Sequence, residues 1–267
     1  MLGALIDMLI LIAESKTMGG CDAAVSRADY DPCLPSLEAD AARIMAPLAG
    51  ISADDLATAV KLSLPMARRL QRMIYDFPDK STGGKAIESY TGVVFKAFGY
   101  GDLDASERRV AERDIRIISS LYGWLRPDDI IKPYRFDFTT RLAPDGETFA
   151  AYWRQRVTDC LLREVAAPGH GDVLDLLPLD AARCLDRRRI AGSARIWKAD
   201  FREIVPGDRT RTPNAGKLKA LRGRLLRHII THRLQSPREL LGVDDDDFMA
   251  DGIDEAAGTI TFTTVAD

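Results

Sequence analysis

The sequence predicts an α/β fold, a mixed sheet flanked by helices, on three observations. Short apolar runs of strand length stand at Met8–Ala13, Ile115–Ser119 and Asp172–Leu177. Between them lie stretches with helical periodicity, the clearest being Ser36–Ala49, Glu147–Val165 and Lys217–Leu234. The third is a hairpin signal, Pro206-Gly207-Asp208, between two extended segments, which adds an antiparallel pair. A chain of 267 residues makes one large domain or two small ones, and 46% hydrophobic with 29% charged residues is an ordinary globular composition.

In chain order, residues 1–7 read as a dispensable leader ahead of the first strand. The apolar N-terminal run carries no Lys or Arg, is interrupted by Asp7, and is too short to span a bilayer. The expectation is therefore a cytoplasmic protein with no membrane partner. Glu14-Ser15-Lys16-Thr17 follows the first strand, placing polar groups at a carboxyl strand end, where open α/β sheets bind ligands. It is not a phosphate-binding P-loop, because the glycine spacing is absent.

Ser52, with Asp55 three residues on, opens a helix that ends near Leu62. Pro65 suits the first turn of the next, Met66–Tyr75. The unit 52–75 thus resembles a helix-hairpin-helix carrying Lys61, Arg68, Arg69 and Arg72, but its turn, Leu62-Ser63-Leu64-Pro65, holds no glycine. The alternative is a plain helical pair with solvated arginines. Lys85–Ser89 reads as a strand and Val93–Phe98 as a helix. Asp104 with Glu107 caps a charged helix leading into Ile115.

The segment Ile115–Phe138 combines a buried strand, a Tyr122-Gly123 break, the corner Trp124-Leu125-Arg126-Pro127 and a second extended piece, Tyr134–Phe138. Two readings stand: a packed core corner, or a site for a planar or phosphorylated ligand. Further on, Thr259–Thr263 reads as a last strand at a sheet edge and Asp244–Asp247 as an acidic loop.

Charge is segregated. Residues 183–238 hold 16 Lys or Arg against four Asp or Glu, and residues 239–267 hold nine Asp or Glu with no Lys or Arg. A basic run of this density favours polyanions. Alternatively it is solvated or paired with the acidic segment 243–267, which would then screen it. The cysteines, Cys21, Cys33, Cys160 and Cys184, form no CxxC pair and read as reduced thiols. His228 and His232 are spaced i, i+4, but no Glu follows His228 and no third ligand is evident, so no metal and no cofactor is expected. Tyr90, Tyr122, Tyr134, Lys16 and Lys219 are the residues available for acid–base work.

Taken together, several of these segments resemble the YaaA family of bacterial peroxide-stress proteins. The resemblance rests on Met8–Thr17, on Lys61-Leu62 with Ala67 and Arg69, and on Tyr90-Thr91-Gly92. It is most specific at Leu121-Tyr122-Gly123-Trp124-Leu125-Arg126-Pro127 followed by Pro133-Tyr134-Arg135. Tyr152-Trp153 and Lys219, Arg222 and Gly223 extend it. The resemblance implies a single α/β domain over 8–267, protection against hydrogen peroxide, and limitation of free intracellular iron. It also implies DNA binding through the helix-hairpin-helix and a cationic cleft. By that analogy Lys61, Arg68 and Arg69 lie on the hairpin unit, and Lys16, Arg126, Arg135, Lys219 and Arg222 line the cleft. Tyr122, Gly123, Trp124, Pro127, Tyr134 and Gly223 hold it in shape. The partner expected is duplex or branched DNA, bound without sequence preference by a monomer. The competing expectation is an enzyme acting on a nucleotide or another phosphorylated small molecule in the same cleft.

Overall fold

The computed structural model describes residues 8–21, 23–24, 33–166, 171–207 and 209–266. The leader assigned to residues 1–7 lies outside them. Along the chain the strands are β1 (Leu9–Ala13), β2 (Ala23–Ala24), β3 (Thr82–Lys85), β4 (Ile115–Ser119), β5 (Gly123–Leu125), β6 (Ile130–Ile131), β7 (Asp172–Asp175), β8 (Arg195–Val205), β9 (Arg209–Arg211), β10 (Asp244–Asp245), β11 (Phe248–Asp254) and β12 (Thr259–Val265). The helices are α1 (Glu38–Leu48), α2 (Ala53–Val60), α3 (Leu64–Asp76), α4 (Ala86–Ser89), α5 (Val93–Phe98), α6 (Ala105–Asp114), α7 (Phe149–Ala166), α8 (Leu179–Ala182), α9 (Arg187–Ile190) and α10 (Ala215–His232).

The main sheet runs β10-β11-β12-β8-β7-β1-β4-β5, with β9 paired to β8, and is mixed as expected. Its centre, β12-β8-β7-β1-β4, is parallel throughout. Numbered by chain order, these five strands lie 5-4-3-1-2. The chain moves from β1 to β4 on one side, then returns to β7 on the other. The strand order therefore reverses between β1 and β7, and a crevice opens beyond the carboxyl ends of strands at such a point.

All three apolar runs are core, Val173 and Leu174 of the third included. Leu9, Leu11, Ile115, Ile117 and Ile118 are fully buried, as strands covered on both faces require. The helix starts also follow the sequence signals. Ser52 Oγ accepts from Asp55 N at 3.1 Å. Asp104 Oδ1 accepts from Glu107 N at 2.8 Å while Glu107 Oε2 accepts from Asp104 N at 2.8 Å, a full capping box.

Four expectations need correction. The strand placed at Lys85–Ser89 lies earlier, at β3, and 86–89 is a helical turn; the two glycines of Thr82–Lys85 hid the strand. The second extended piece, Tyr134–Phe138, joins no ladder and is held by side chains instead. β12 is not an edge: it pairs with β11 on one side and β8 on the other, burying Ile260, Phe262 and Thr264. Asp244–Asp247 is not all loop either, because Asp244–Asp245 form β10, and β10, β11 and β12 build one flank of the sheet. Its carboxylates neutralise part of the basic run. Arg224 pairs with Asp245 at 3.5 Å and with Asp247, and Arg238 with Glu255 at 2.5 Å. Deleting 243–267 would remove core strands rather than unmask a surface.

Candidate functional site at the carboxyl ends of the central strands

The polar residues that follow β1 and β4 meet in a buried network. Glu14 continues from β1, its N–H donating to Ile118 O at 2.9 Å. Its carboxylate Oε2 accepts from Ser120 N at 2.8 Å and from the Tyr134 hydroxyl. The Tyr134 hydroxyl in turn lies 2.6 Å from that of Tyr90 and 2.7 Å from Ser119 Oγ. Ser119 Oγ accepts from Tyr122 N at 3.0 Å, which ties the turn after β4 to the same centre. Burial pushes the Glu14 carboxyl up to about 7, against hydrogen bonds from Ser120 and Tyr134 that oppose the shift. Burial, reinforced by the charge of Glu14, raises the Tyr134 and Tyr90 hydroxyls above their ordinary value. A carboxyl poised near neutrality at a strand's carboxyl end has the chemistry of a general acid or base.

Two backbone approaches fix the surroundings. Gly123 has φ +69°, and a Cβ there would lie 2.5 Å from the Trp153 ring, so only glycine closes this turn against α7. Gly223 lets α10 touch α5, since a Cβ would stand 2.3 Å from Val94 O. Tyr122, Trp124 and Tyr134 are all buried, and the Tyr122 hydroxyl accepts from Lys132 N at 2.9 Å. They pack the corner and present no face on which a base could stack.

Of the cations expected to converge, some do. Lys16, exposed, pairs with Asp137 at 3.4 Å, and Arg135 Nη1 donates to Lys16 O at 2.8 Å. The Arg135 Nε is buried and has no hydrogen-bond partner among the described residues. Arg222 lies within electrostatic reach of Asp175, at the end of β7, and of Asp180; burial lowers its pKa against both. Among the described residues it makes no ion pair. Lys219, one turn earlier on α10, is exposed and likewise unpaired.

Arg126 goes elsewhere. β5 runs antiparallel to β4, with Leu125 opposite Ile117, so Arg126 reaches the amino end of β4. There it stands 3.8 Å from Glu164, which also receives two bonds from Arg116, at 3.1 and 2.8 Å. Pro127 is buried beside it, its carbonyl accepting from Ile87 N at 3.0 Å.

The helical pair α2–α3 is present. Lys61 ends α2 in a left-handed conformation, φ 53°, at the position where a glycine is ordinarily favoured. Lys61, Arg68 and Arg69 are exposed. Arg69 and Arg72 of α3 line a cleft of about 700 Å³ whose polar wall also includes Thr82, Lys132, Asp76 and Asp79. Met18, two residues after Lys16, and Pro133, next to the Tyr134-Arg135 pair, are also in its lining, and Met18 bridges to Tyr90. The cleft therefore opens beside the Glu14 network. Among the described residues no group of three or more His, Cys, Asp or Glu is placed to hold a metal ion.

A match to a family model over residues 8–252 decides the relationship: the model describes the peroxide stress protein YaaA. The chain belongs to the YaaA family. It is 29% identical over 235 residues to a UPF0246 protein of Parabacteroides distasonis, covering 87% of this chain and 90% of that one. A UPF0246 protein of Rhizorhabdus wittichii is 29% identical over 265 residues, at 93% and 97% coverage. One of Magnetococcus marinus is 30% identical over 214 residues, at 78% and 80%. The YaaA-like motif Leu121–Pro127 with Pro133–Arg135 is thus the packed corner beneath the network, and its two arginines serve opposite ends of β4.

Two functional candidates escaped the sequence reading. Glu14 looked like the polar end of a strand, and the available signal was a carboxylate directly after a fully apolar run. Lys132 stands between Ile131 and Pro133, and only the fold shows that its side chain is buried.

Proposed function

We propose that this protein acts in the peroxide-stress response, in the cytoplasm, by protecting DNA. In this reading it limits free iron and binds duplex or branched DNA without sequence preference through its cationic face. The observation that carries the DNA part is the set of cations that have no carboxylate partner among the described residues. Lys61, Arg68, Arg69 and Arg72 lie on α2–α3, and Lys219 and Arg222 on α10. Cations left unneutralised by the fold are free to replace the counterions of a phosphate backbone. The exposed Tyr75, on α3 beside Arg72, offers the stacking surface that the buried aromatics do not.

Gel shifts on duplex, nicked and branched DNA across a salt series test it. Six phosphate contacts give a log–log slope of about −5. Absence of binding at low salt removes the reading.

A second reading, an enzyme acting on a nucleotide or another phosphorylated small molecule, is favoured by one observation. Glu14 joins a carboxyl raised to about 7 to a hydroxyl chain beside the cleft. Such a group is what proton transfer needs and what phosphate-backbone binding does not. Turnover of a phosphorylated metabolite that is lost in Glu14→Gln, with DNA binding intact, would establish it.

A further inference from the structure

The cleft carries a charge that no carboxylate among the described residues pairs. Lys132 is 2% exposed, yet among the described residues its ammonium makes a single hydrogen bond, to Thr82 Oγ1 at 2.6 Å. Among the described residues no carboxylate reaches salt-bridge distance of it. Asp79, the carboxylate whose pKa it helps to lower, is committed to Ser81, accepting from N at 2.8 Å and from Oγ at 3.0 Å. Asp76 and Asp79 are exposed at the cleft mouth, where water screens them. A buried ammonium with two unused N–H donors is costly unless something anionic meets it. The site has room for one, because Lys132 lines the cleft of about 700 Å³ together with Arg69 and Arg72. Asp76 and Asp79 also line it, and its apolar part comes from Met18, Met73 and Pro133.

We propose that this cleft binds a small phosphorylated molecule. Its terminal phosphate sits on Lys132 and Thr82, is clamped by Arg69 and Arg72, and its organic part rests on the methionines. An ammonium, a hydroxyl and two guanidinium forks supply more donors than a carboxylate can use and match the three oxygens of a phosphate monoester. The volume suits a mononucleotide or sugar phosphate. Duplex backbone does not satisfy the geometry: a phosphate fixed on the outside of a wide cylinder cannot reach a lysine recessed this far. The proposal rests on the small-molecule reading and gives it a binding site; it shares Arg69 and Arg72 with the DNA reading and is told apart from it at the buried Lys132.

The test uses the full chain with adenosine 5′-monophosphate and inorganic phosphate as probes and adenosine as the uncharged control. Thermal unfolding and titration calorimetry are the readouts, so no turnover is needed. The wild-type Tm should rise with the logarithm of monophosphate concentration and ignore adenosine. Lys132→Met, which removes the unbalanced charge, should fold with an unchanged or higher Tm without ligand and lose the ligand-dependent rise. Arg72→Ala, an exposed change that leaves the core intact, should weaken calorimetric binding roughly tenfold, and it decides the matter should Lys132→Met fail to fold. DNA gel shifts should persist in Lys132→Met, separating this site from the DNA surface. Three results overturn the proposal: no response of the wild type to either phosphate at millimolar concentration, retention of wild-type affinity in Arg72→Ala, or a response to DNA alone.

Discussion

The two ends of β4 use the same residue types to opposite effect. At its amino end, Arg116 grips Glu164 with two bonds while Arg126 stands 3.8 Å from the same carboxylate. Asp129 accepts from Arg126 N at 2.8 Å. The arginines and Glu164 there satisfy one another within the fold. At its carboxyl end, Glu14 is hydrogen-bonded by neutral donors, and the neighbouring cleft and helix faces hold Lys132, Arg69, Arg72, Lys219 and Arg222, none of them in an ion pair among the described residues. The contrast teaches that an arginine count does not mark a site; an unbalanced charge does. A closed ion pair stabilises, whereas an open one is available to a ligand.

The largest effect should come from breaking the closed end. Arg116→Ala leaves Glu164 and three backbone carbonyls without their buried donor. Urea unfolding should show a loss of about 3 kcal/mol, with DNA affinity per folded molecule unchanged. A loss of DNA binding without loss of stability would mean that the amino end is functional.

Next comes pH. Glu14 and Asp129 both have carboxyls raised by burial to about 7. A raised folded-state value favours the protonated form, so the stability these groups confer is present below the ordinary carboxyl range and is lost as pH rises through 7. Glu14→Gln should therefore be more stable than wild type at pH 8, by up to roughly 3 kcal/mol, and nearly equal to it at pH 4. Asp129→Asn should behave likewise at the other end. If only Glu14→Gln also changes ligand binding or turnover, the distinction between the ends sharpens.

The smallest stability effects belong to the open end. Lys219→Ala and Lys61→Ala should change stability by less than about 0.5 kcal/mol while each reduces the salt slope of DNA binding by about 0.9. Arg126→Ala should also be mild, within about 1 kcal/mol, but should leave the slope alone.

This comparison also explains what could be read from the sequence. β1, β4, the caps at Ser52 and Asp104 and the long helices were legible because their signals are local: apolar period and side-chain-to-backbone spacing. β11 was not, since Phe248–Asp254 carries two aspartates and a glycine and draws its pairing from β12. The reversal of strand order between β1 and β7 was hidden for the same reason, because register is a non-local property. Arg126 and Arg135 looked like one cluster, nine positions apart. The β4–β5 hairpin sends the first to the amino end, and the chain then returns along β6 to bring the second beside Lys16. For the basic run at 183–238 the sequence leaves a polyanion surface and pairing with the acidic segment both open, and β10–β12 bring carboxylates onto Arg224 and Arg238, which decides those two for pairing.

The most direct measurement is the salt dependence of duplex DNA binding in wild type, in a Lys61→Ala/Arg68→Ala/Lys219→Ala triple variant and in Arg126→Ala. The account predicts that the triple variant loses about 2.7 from the log–log slope and that Arg126→Ala retains the wild-type slope. An unchanged slope in the triple variant, or a reduced one in Arg126→Ala, would contradict it.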